Sequence, residues 1–301
     1  MILFEKVTKD IYLLKVPFGN AWTGITLLDG QKRILIDSGA READIDEYLV
    51  PALKEMGLTI GNIDYLTNTH SHGDHIGGYR RIKELHPDIT VAASETDYQN
   101  VEDPVSLAVR TRTAFPEFSP TPQSYLKGIA VDVIVKDAGS LTDHVSLVTT
   151  PGHDKGCVCW YERNTKTIIT GDSLQCNGTP SQGIGFYQSL HAYRDSLRKL
   201  MAMDIENILC GHAYDGIGYW IQGKEECRNA LKLCLDKTGQ YQEYVDRCVE
   251  AGITSPGVIA KKMIQEIGCG MPDYLFMAVF TVTEHLKESR SKETWKEKMY
   301  L

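Results

Sequence analysis

The chain lacks any apolar run long enough to span a bilayer, and its start, Met1-Ile2-Leu3-Phe4-Glu5-Lys6, lacks the basic-then-apolar pattern of a secretory signal. Both absences predict a cytoplasmic protein with no membrane partner. No C-x-x-C pair occurs among the eight cysteines at 157, 159, 176, 210, 227, 234, 248 and 269, which argues against a zinc knuckle and a disulfide framework. Cys157 and Cys159 alternate within Cys157-Val158-Cys159-Trp160-Tyr161 and read as core packing on one strand face. Positive charge is in deficit: 32 Lys and Arg stand against 40 Asp and Glu, a net charge of −8. That balance disfavours nucleic acid as a partner and leaves a small-molecule substrate. There is no repeat, no low-complexity segment and no G-x-S-x-G elbow to present a nucleophilic serine. At 301 residues the chain can nevertheless bury a full core.

What it does have is Thr69-His70-Ser71-His72-Gly73-Asp74-His75, entered from the apolar run Ile63-Asp64-Tyr65-Leu66. Three crowded imidazoles repel one another when protonated and compete for hydrogen bonds when neutral. A polar surface turn has no need of such density, and a divalent cation removes both conflicts. Imidazole nitrogen together with carboxylate oxygen points to a transition metal, zinc first with iron or manganese as alternatives, rather than calcium.

The pattern H-x-H-x-D-H resembles the signature of the metallo-β-lactamase superfamily. The later motifs Thr150-Pro151-Gly152-His153, Thr170-Gly171-Asp172 and Cys210-Gly211-His212 follow in that family's order, each after a strand-like apolar run. The resemblance covers residues 1 to about 220. It implies that His70, His72 and His153 hold one metal, that Asp74, His75 and His212 hold a second, and that Asp172 bridges them. It also implies that Asp37, at the end of Arg33-Ile34-Leu35-Ile36, supports the site through a ligand imidazole; from the residues alone, Asp37 reads equally as a turn-initiating Asp before Ser38-Gly39.

Two such metals acidify a water bridging them to hydroxide near neutral pH and polarise the group under attack, so a dinuclear hydrolase is expected, with Asp74 also orienting or deprotonating that water. Asp172 favours the branch resembling hydroxyacylglutathione hydrolases and lactonases, acting on an ester, thioester, lactone or related bond, over antibiotic hydrolysis. Two alternatives remain. Persulfide dioxygenases, which use a single iron, resemble the stretch from Pro151 to Cys157 but carry an Arg-rich stretch where this chain has Ser173-Leu174-Gln175-Cys176-Asn177-Gly178. A phosphodiesterase or nuclease of the same superfamily is the other. Tyr187, after Asp172, and Tyr214, just past His212, are candidate hydrogen-bond donors to a developing oxyanion, with packing as their competing role. Lys224, Arg228 and Lys232 lie at helical spacing and read as a solvated basic face rather than a substrate carboxylate site.

Strands are expected within 2–37 and at 63–67, 89–92, 131–135, 145–148, 157–161, 167–169 and 208–209. Helices are expected at 44–56, after His75, at 190–202, and at 222–235, 240–250, 256–267 and 273–288. This is an α/β pattern, and it fits a four-layer αββα sandwich with the metals at one edge and a C-terminal helical appendage. Residues 1–221 would form the catalytic domain and 222–301 the helical region, which closes one wall of the substrate entrance or mediates self-association in a homo-oligomer. Residues 95–128, with Pro104, Pro116, Pro120 and Pro122, read as an irregular insertion that either covers the metals as a lid or packs as a surface excursion.

Overall fold

A computed structural model of the chain describes residues 2–120, 125–177 and 183–299, with 291–299 as backbone alone. The chain opens as an antiparallel meander of β1 (Glu5–Lys6), β2 (Ile11–Phe18), β3 (Ala21–Asp29) and β4 (Arg33–Ile36), in which Asp29-Gly30 turns β3 back and sets Asp29 opposite Arg33. Then α1 (Glu42–Asp44), a π turn over Ile45–Leu49 and α2 (Val50–Glu55) return it to β5 (Tyr65–Thr67), parallel to β4. Next, α3 (Gly73–Ile76) and α4 (Tyr79–Leu85) lead to β6 (Thr90–Ser94), and α5 (Tyr98–Glu102) and α6 (Pro104–Thr113) lead to β7 (Val133–Val135), again between parallel neighbours. These strands make a seven-stranded sheet in sequence order.

The second sheet has five strands: β8 (Val145–Thr149), β9 (Val158–Glu162), β10 (Thr167–Gly171) and, after α7 (Leu190–Met201), β11 (Asn207–Tyr214) and β12 (Gly218–Gln222). Three helices finish the chain: α8 (Lys224–Glu250), α9 (Pro256–Ile267) and α10 (Phe276–Met299).

Side-chain alternation sorts the strands into layers. Ile34 and Ile36 of β4 meet Val158 and Trp160 of β9, Ile169 of β10 and Leu209 of β11 between the sheets. The intervening Leu35 packs outward on Ile45, Leu49 and Leu53, while Cys159, Ile168, Ile208 and Cys210 face α7 and the C-terminal helices. Central strands apolar on both faces are what a sheet covered on both sides requires. This is the expected αββα sandwich. Cys157, just before β9, and Cys159 are both buried, as expected.

The C-terminal region is helical as predicted and shares one core with the second sheet, through Cys227, Leu231, Cys234 and Val245 of α8, Ile259 and Met263 of α9, and Val279 and Val282 of α10. The boundary expected at 221/222 lies one residue inside β12, and Gly223 separates β12 from α8. The two helices expected at 222–235 and 240–250 are one. Gly239 does not break α8 because the buried stripe from Leu231 through Tyr241 to Val245 holds that segment against its neighbours, and tertiary packing outweighs a glycine's cost of about 1 kcal/mol.

Segment 95–128 is more regular than expected. Pro104 starts α6 at a position where no amide donor is needed, and the Asp103 carboxylate accepts from Ser106 N at 3.1 Å as its cap. Pro116 opens a 3₁₀ turn over Pro116–Phe118, whereas Pro122 lies outside the described residues. No helix among the described residues is long and apolar enough to cross a membrane.

Truncation after Gly223 should therefore expose the apolar face of the second sheet. The shortened chain is expected to aggregate or bind a hydrophobic dye strongly, with its cooperative thermal transition lost; a monomer with a sharp transition would show the helices to be dispensable.

Candidate metal centre

The histidine cluster leaves the C-terminal end of β5 and is held from both sides. Asp37, just past β4 at a left-handed φ of 65°, accepts from Thr69 N at 2.8 Å, Thr69 Oγ1 at 2.9 Å and His75 Nδ1 at 2.9 Å. Asp97, just past β6, accepts from Ser71 Oγ at 2.6 Å, Asn68 Nδ2 at 2.7 Å and Asn100 Nδ2 at 2.9 Å. Burial pushes the Asp97 carboxyl up to about 6 in spite of those donors. From the other sheet, Trp160 Nε1 donates to Asn68 O at 3.0 Å and Val158 N to Thr69 O at 2.8 Å.

Glycines permit the approach. A Cβ on Gly77 would lie 2.0 Å from Ala40 O, and one on Gly171, at φ +49°, would lie 2.2 Å from Thr69 Oγ1.

Four of the five imidazoles in the centre are oriented alike. His70 Nδ1 faces Thr69 Oγ1 at 3.2 Å, His75 Nδ1 faces Asp37, His153 Nδ1 donates to Phe186 O at 2.9 Å, and His212 Nδ1 donates to Trp22 O at 2.7 Å. Each acceptor takes the Nδ1 proton and turns the Nε2 lone pair inward. His72 is reversed, with Nδ1 at 3.0 Å from His153 Nε2 and Nε2 at 3.7 Å from Asp154 Oδ2. Burial works against ionisation of Asp154, but His72 beside it holds that carboxyl low.

Three overlapping groups result among the described residues, His70 with His72 and His153, Asp74 with His75 and His212, and between them His70 with His75 and Asp172, the ligand atoms of each lying within 4.8 Å of one another. Asp172 stands between the first two. Its Oδ2 is 3.5 Å from His153 Nε2, while its Oδ1 is 3.4 Å from His212 Nε2 and 3.6 Å from His75 Nε2. Asp74 Oδ2 is 3.2 Å from His212 Nε2 and 3.6 Å from His75 Nε2.

These atoms are badly served by the protein alone. His70 Nε2, His72 Nε2, His75 Nε2 and Asp172 Oδ1 are buried without a hydrogen-bond partner, and each such group ordinarily costs about 1–3 kcal/mol. Burial holds the His70 imidazole well below its ordinary value, and brings His153 down to about 4. Burial also works to lower His75, yet Asp74, Asp37 and Asp172 together raise it to about 10. Neutral and cationic imidazoles crowded against buried carboxylates, with lone pairs converging, suit divalent cations held by nitrogen and oxygen.

All seven sequence-predicted ligands come together; of the two tyrosines Tyr187 stands apart, whereas Tyr214 borders the group with its ring 6.4 Å from that of His212. Tyr187 is buried with its hydroxyl 2.7 Å from His285 Nε2 and its ring stacked on Tyr193 at 4.7 Å. That places it in the core under α10 rather than over the metals. Tyr214 continues the helix-facing parity of Ile208 and Cys210, and its hydroxyl accepts from Gln175 Nε2 at 2.9 Å. Both hydroxyls are thus engaged in packing networks. Lys224 pairs with Asp204 at 2.6 Å and Lys232 with Asp236, as a solvated face should. Asp97 was missed in the sequence, although its position just beyond a strand's C-terminal end repeats that of Asp37.

Above the centre lies a cavity of about 320 Å³, floored by His72, Asp74, His153, Asp172 and His212. Leu107, Thr111 and Arg112 of α6 form one wall, Phe276 and Met277 of α10 another, and Phe18 and Ala21 from the β2–β3 hairpin a third. The 95–128 segment and the C-terminal helices both border the opening.

A sequence profile of the metallo-beta-lactamase superfamily matches residues 23–212. A beta-lactamase-like protein 2 homolog of Caenorhabditis elegans is 26% identical over 211 residues, 70% of this chain and 62% of its own. A hydroxyacylglutathione hydrolase of Pelagibacter ubique is 27% identical over 168 residues, covering 54% of this chain and 57% of that protein. An atrochrysone carboxyl ACP thioesterase of Passalora fulva is 26% identical over 59% of this chain and 44% of its own. The matches thus span less than two thirds of these relatives' lengths. The crystal structure of a metallo-beta-lactamase family protein from Thermus thermophilus shares the fold, with a TM-score of 0.71 at 17% identity over 93% of this chain and 94% of that one. The profile match covers more than half of the chain, and the chain belongs to the metallo-beta-lactamase superfamily.

Proposed function

We propose that this chain is a metal-dependent hydrolase that holds two divalent transition-metal ions, zinc first, and cleaves an ester, thioester or lactone bond of a small molecule. The observation that carries the reading is Asp172, which turns one oxygen toward each histidine group while its Oδ1 has no hydrogen-bond partner among the described residues. Hydroxyacylglutathione hydrolase and thioesterase relatives support the reaction class. A single-iron site needs only the first group and Asp172, and leaves the convergence of Asp74, His75 and His212 unexplained.

His70, His72 and His153 would hold one ion, Asp74, His75 and His212 the other, and Asp172 both. When bound, the ions supply an acidified water and a Lewis acid for the carbonyl. The protein's own groups do the rest. Asp37, Phe186 O and Trp22 O hold the protons of His75, His153 and His212 on Nδ1, so those rings stay aimed. Burial opposes ionisation of Asp74, but His75 and His212 keep it charged, and its place on the cavity floor lets it take a proton from the attacking water. The apolar walls exclude competing water. Residues 1–221 would be the catalytic unit, with the helices beyond 221 serving it as a wall of the cavity. Eight unpaired cysteines suit a reducing compartment, and a cytoplasmic location is part of this proposal.

Elemental analysis after metal repletion should find two transition-metal ions per chain; one iron and no second metal would overturn the dinuclear reading. Asp172→Ala should lower turnover of an ester or thioester substrate by orders of magnitude and release the weaker ion first, because two dications lose the anion between them. Circular dichroism of the same preparation should be unchanged, and near-native turnover with both metals retained would refute the bridging role. Asp37→Asn keeps a residue type that tolerates the left-handed backbone but removes the anionic acceptor at His75 Nδ1. Affinity for the ion at His75 should fall about ten- to hundredfold, measured by chelator competition, with a smaller loss at the His70 site, which Asp37 reaches only through Thr69.

A further inference from the structure

The cavity walls are apolar apart from a few groups, and one of these is a cation in an unusual position. Arg112 sits in the last turn of α6, half-buried, with its guanidinium over the Phe276 ring at 4.1 Å from the centroid. Other arginines have carboxylates: Arg33 has Asp29, Arg41 has Asp44, Arg81 has Asp46 and Arg194 has Glu288. Arg112 makes no ion pair among the described residues. Burial lowers its pKa, with Asp74, Tyr125 and Tyr274 opposing. Of these, Asp74 is taken up by His75 and His212.

A guanidinium stripped of part of its water, stacked on an aromatic and holding no ion pair among the described residues is set to receive the anion of a ligand. Around it Leu107, Ala108, Leu126, Phe186 and Met277 offer apolar surface, and the polar groups that share this part of the lining are Thr111, Tyr274 and Asp273, whose carboxylate makes no ion pair with Arg112. We propose that Arg112 anchors an anionic group, a carboxylate or a phosphate, on a substrate whose remaining body is apolar. The anion then marks one end of the substrate and the floor residues meet the scissile bond at the other. This deepens the hydrolase reading and rests on it for the scissile bond, whereas the anion site stands on Arg112 and its surroundings alone.

The test uses the full-length, metal-replete protein and three probes of equal chain length, octanoate, octyl phosphate and neutral octanamide, titrated calorimetrically. At least one anion should bind about ten- to hundredfold tighter than octanamide. Arg112→Gln should abolish that preference and leave octanamide binding unchanged, while Arg112→Lys should keep part of it. Which anion is preferred separates a carboxylate from a phosphate substrate. Equal binding of all three probes by the unaltered protein, or a preference that survives Arg112→Gln, would overturn the proposal. A loss of anion and amide binding alike, with a lowered melting temperature, would reduce Arg112 to a packing partner of Phe276. In parallel, the aryl ester of octanoic acid and the aryl monoester of octanedioic acid are assayed for turnover. Hydrolysis of neither ester refutes the hydrolase reading, and the titration decides Arg112 independently.

Discussion

The organisation of this protein depends on buried nitrogen and oxygen atoms that converge with too few hydrogen-bond partners among the described residues. His70 Nε2, His75 Nε2 and Asp172 Oδ1 are buried and unpaired, and His72 Nδ1 faces His153 Nε2 at 3.0 Å. A folded chain tolerates such groups only where something else offsets their desolvation. The surroundings are arranged to keep them aimed rather than to satisfy them. Asp37, Phe186 O and Trp22 O occupy the outer nitrogens, and Asp97 ties down the turn from which His70 and His72 project. The three apolar layers supply the stability that this polar arrangement costs.

The sandwich makes the convergence geometrically simple. Parallel strands β4, β5 and β6 end at the same edge, so Asp37, the histidine cluster and Asp97 arrive together. The second sheet presents Asp172 after β10 and His212 near the end of β11, again a parallel pair. Pinning this arrangement are Trp160, which spans from the inter-sheet core to Asn68 O, and Gly171, where any side chain would displace Thr69 and with it Asp37.

The cavity is built from the parts of the chain that vary most in regularity. α6 and the start of α10 meet across its opening, and Phe276 of α10 carries the guanidinium of Arg112 from α6. The C-terminal helices therefore have two tasks. They bury the outer face of the second sheet, and through Phe276 and Met277 of α10 they line the cavity above the histidine and aspartate cluster. A chain with this floor and different wall residues would keep the chemistry of the centre and change its substrate, because the polar floor and the apolar wall come from separate elements.

By itself the sequence determined the layers, the ligand types and the order in which they appear. Strand alternation is local, and a cluster such as His70-Ser71-His72-Gly73-Asp74-His75 states its chemistry within one turn of chain. It could not determine what holds each imidazole, since His212 is oriented by Trp22 O across 190 positions and His153 by Phe186 O across 33. Nor could it show that the Tyr187 hydroxyl is taken by His285 from 98 positions away, which is why nearness in the chain misplaced that tyrosine. The continuity of α8 through Gly239, and the absence of an ion pair to Arg112 among the described residues, were likewise settled only by tertiary contacts. The physical reason is the same in each case: backbone pattern is fixed by neighbours in sequence, whereas the partner of a buried polar atom is fixed by whichever distant segment packs against it.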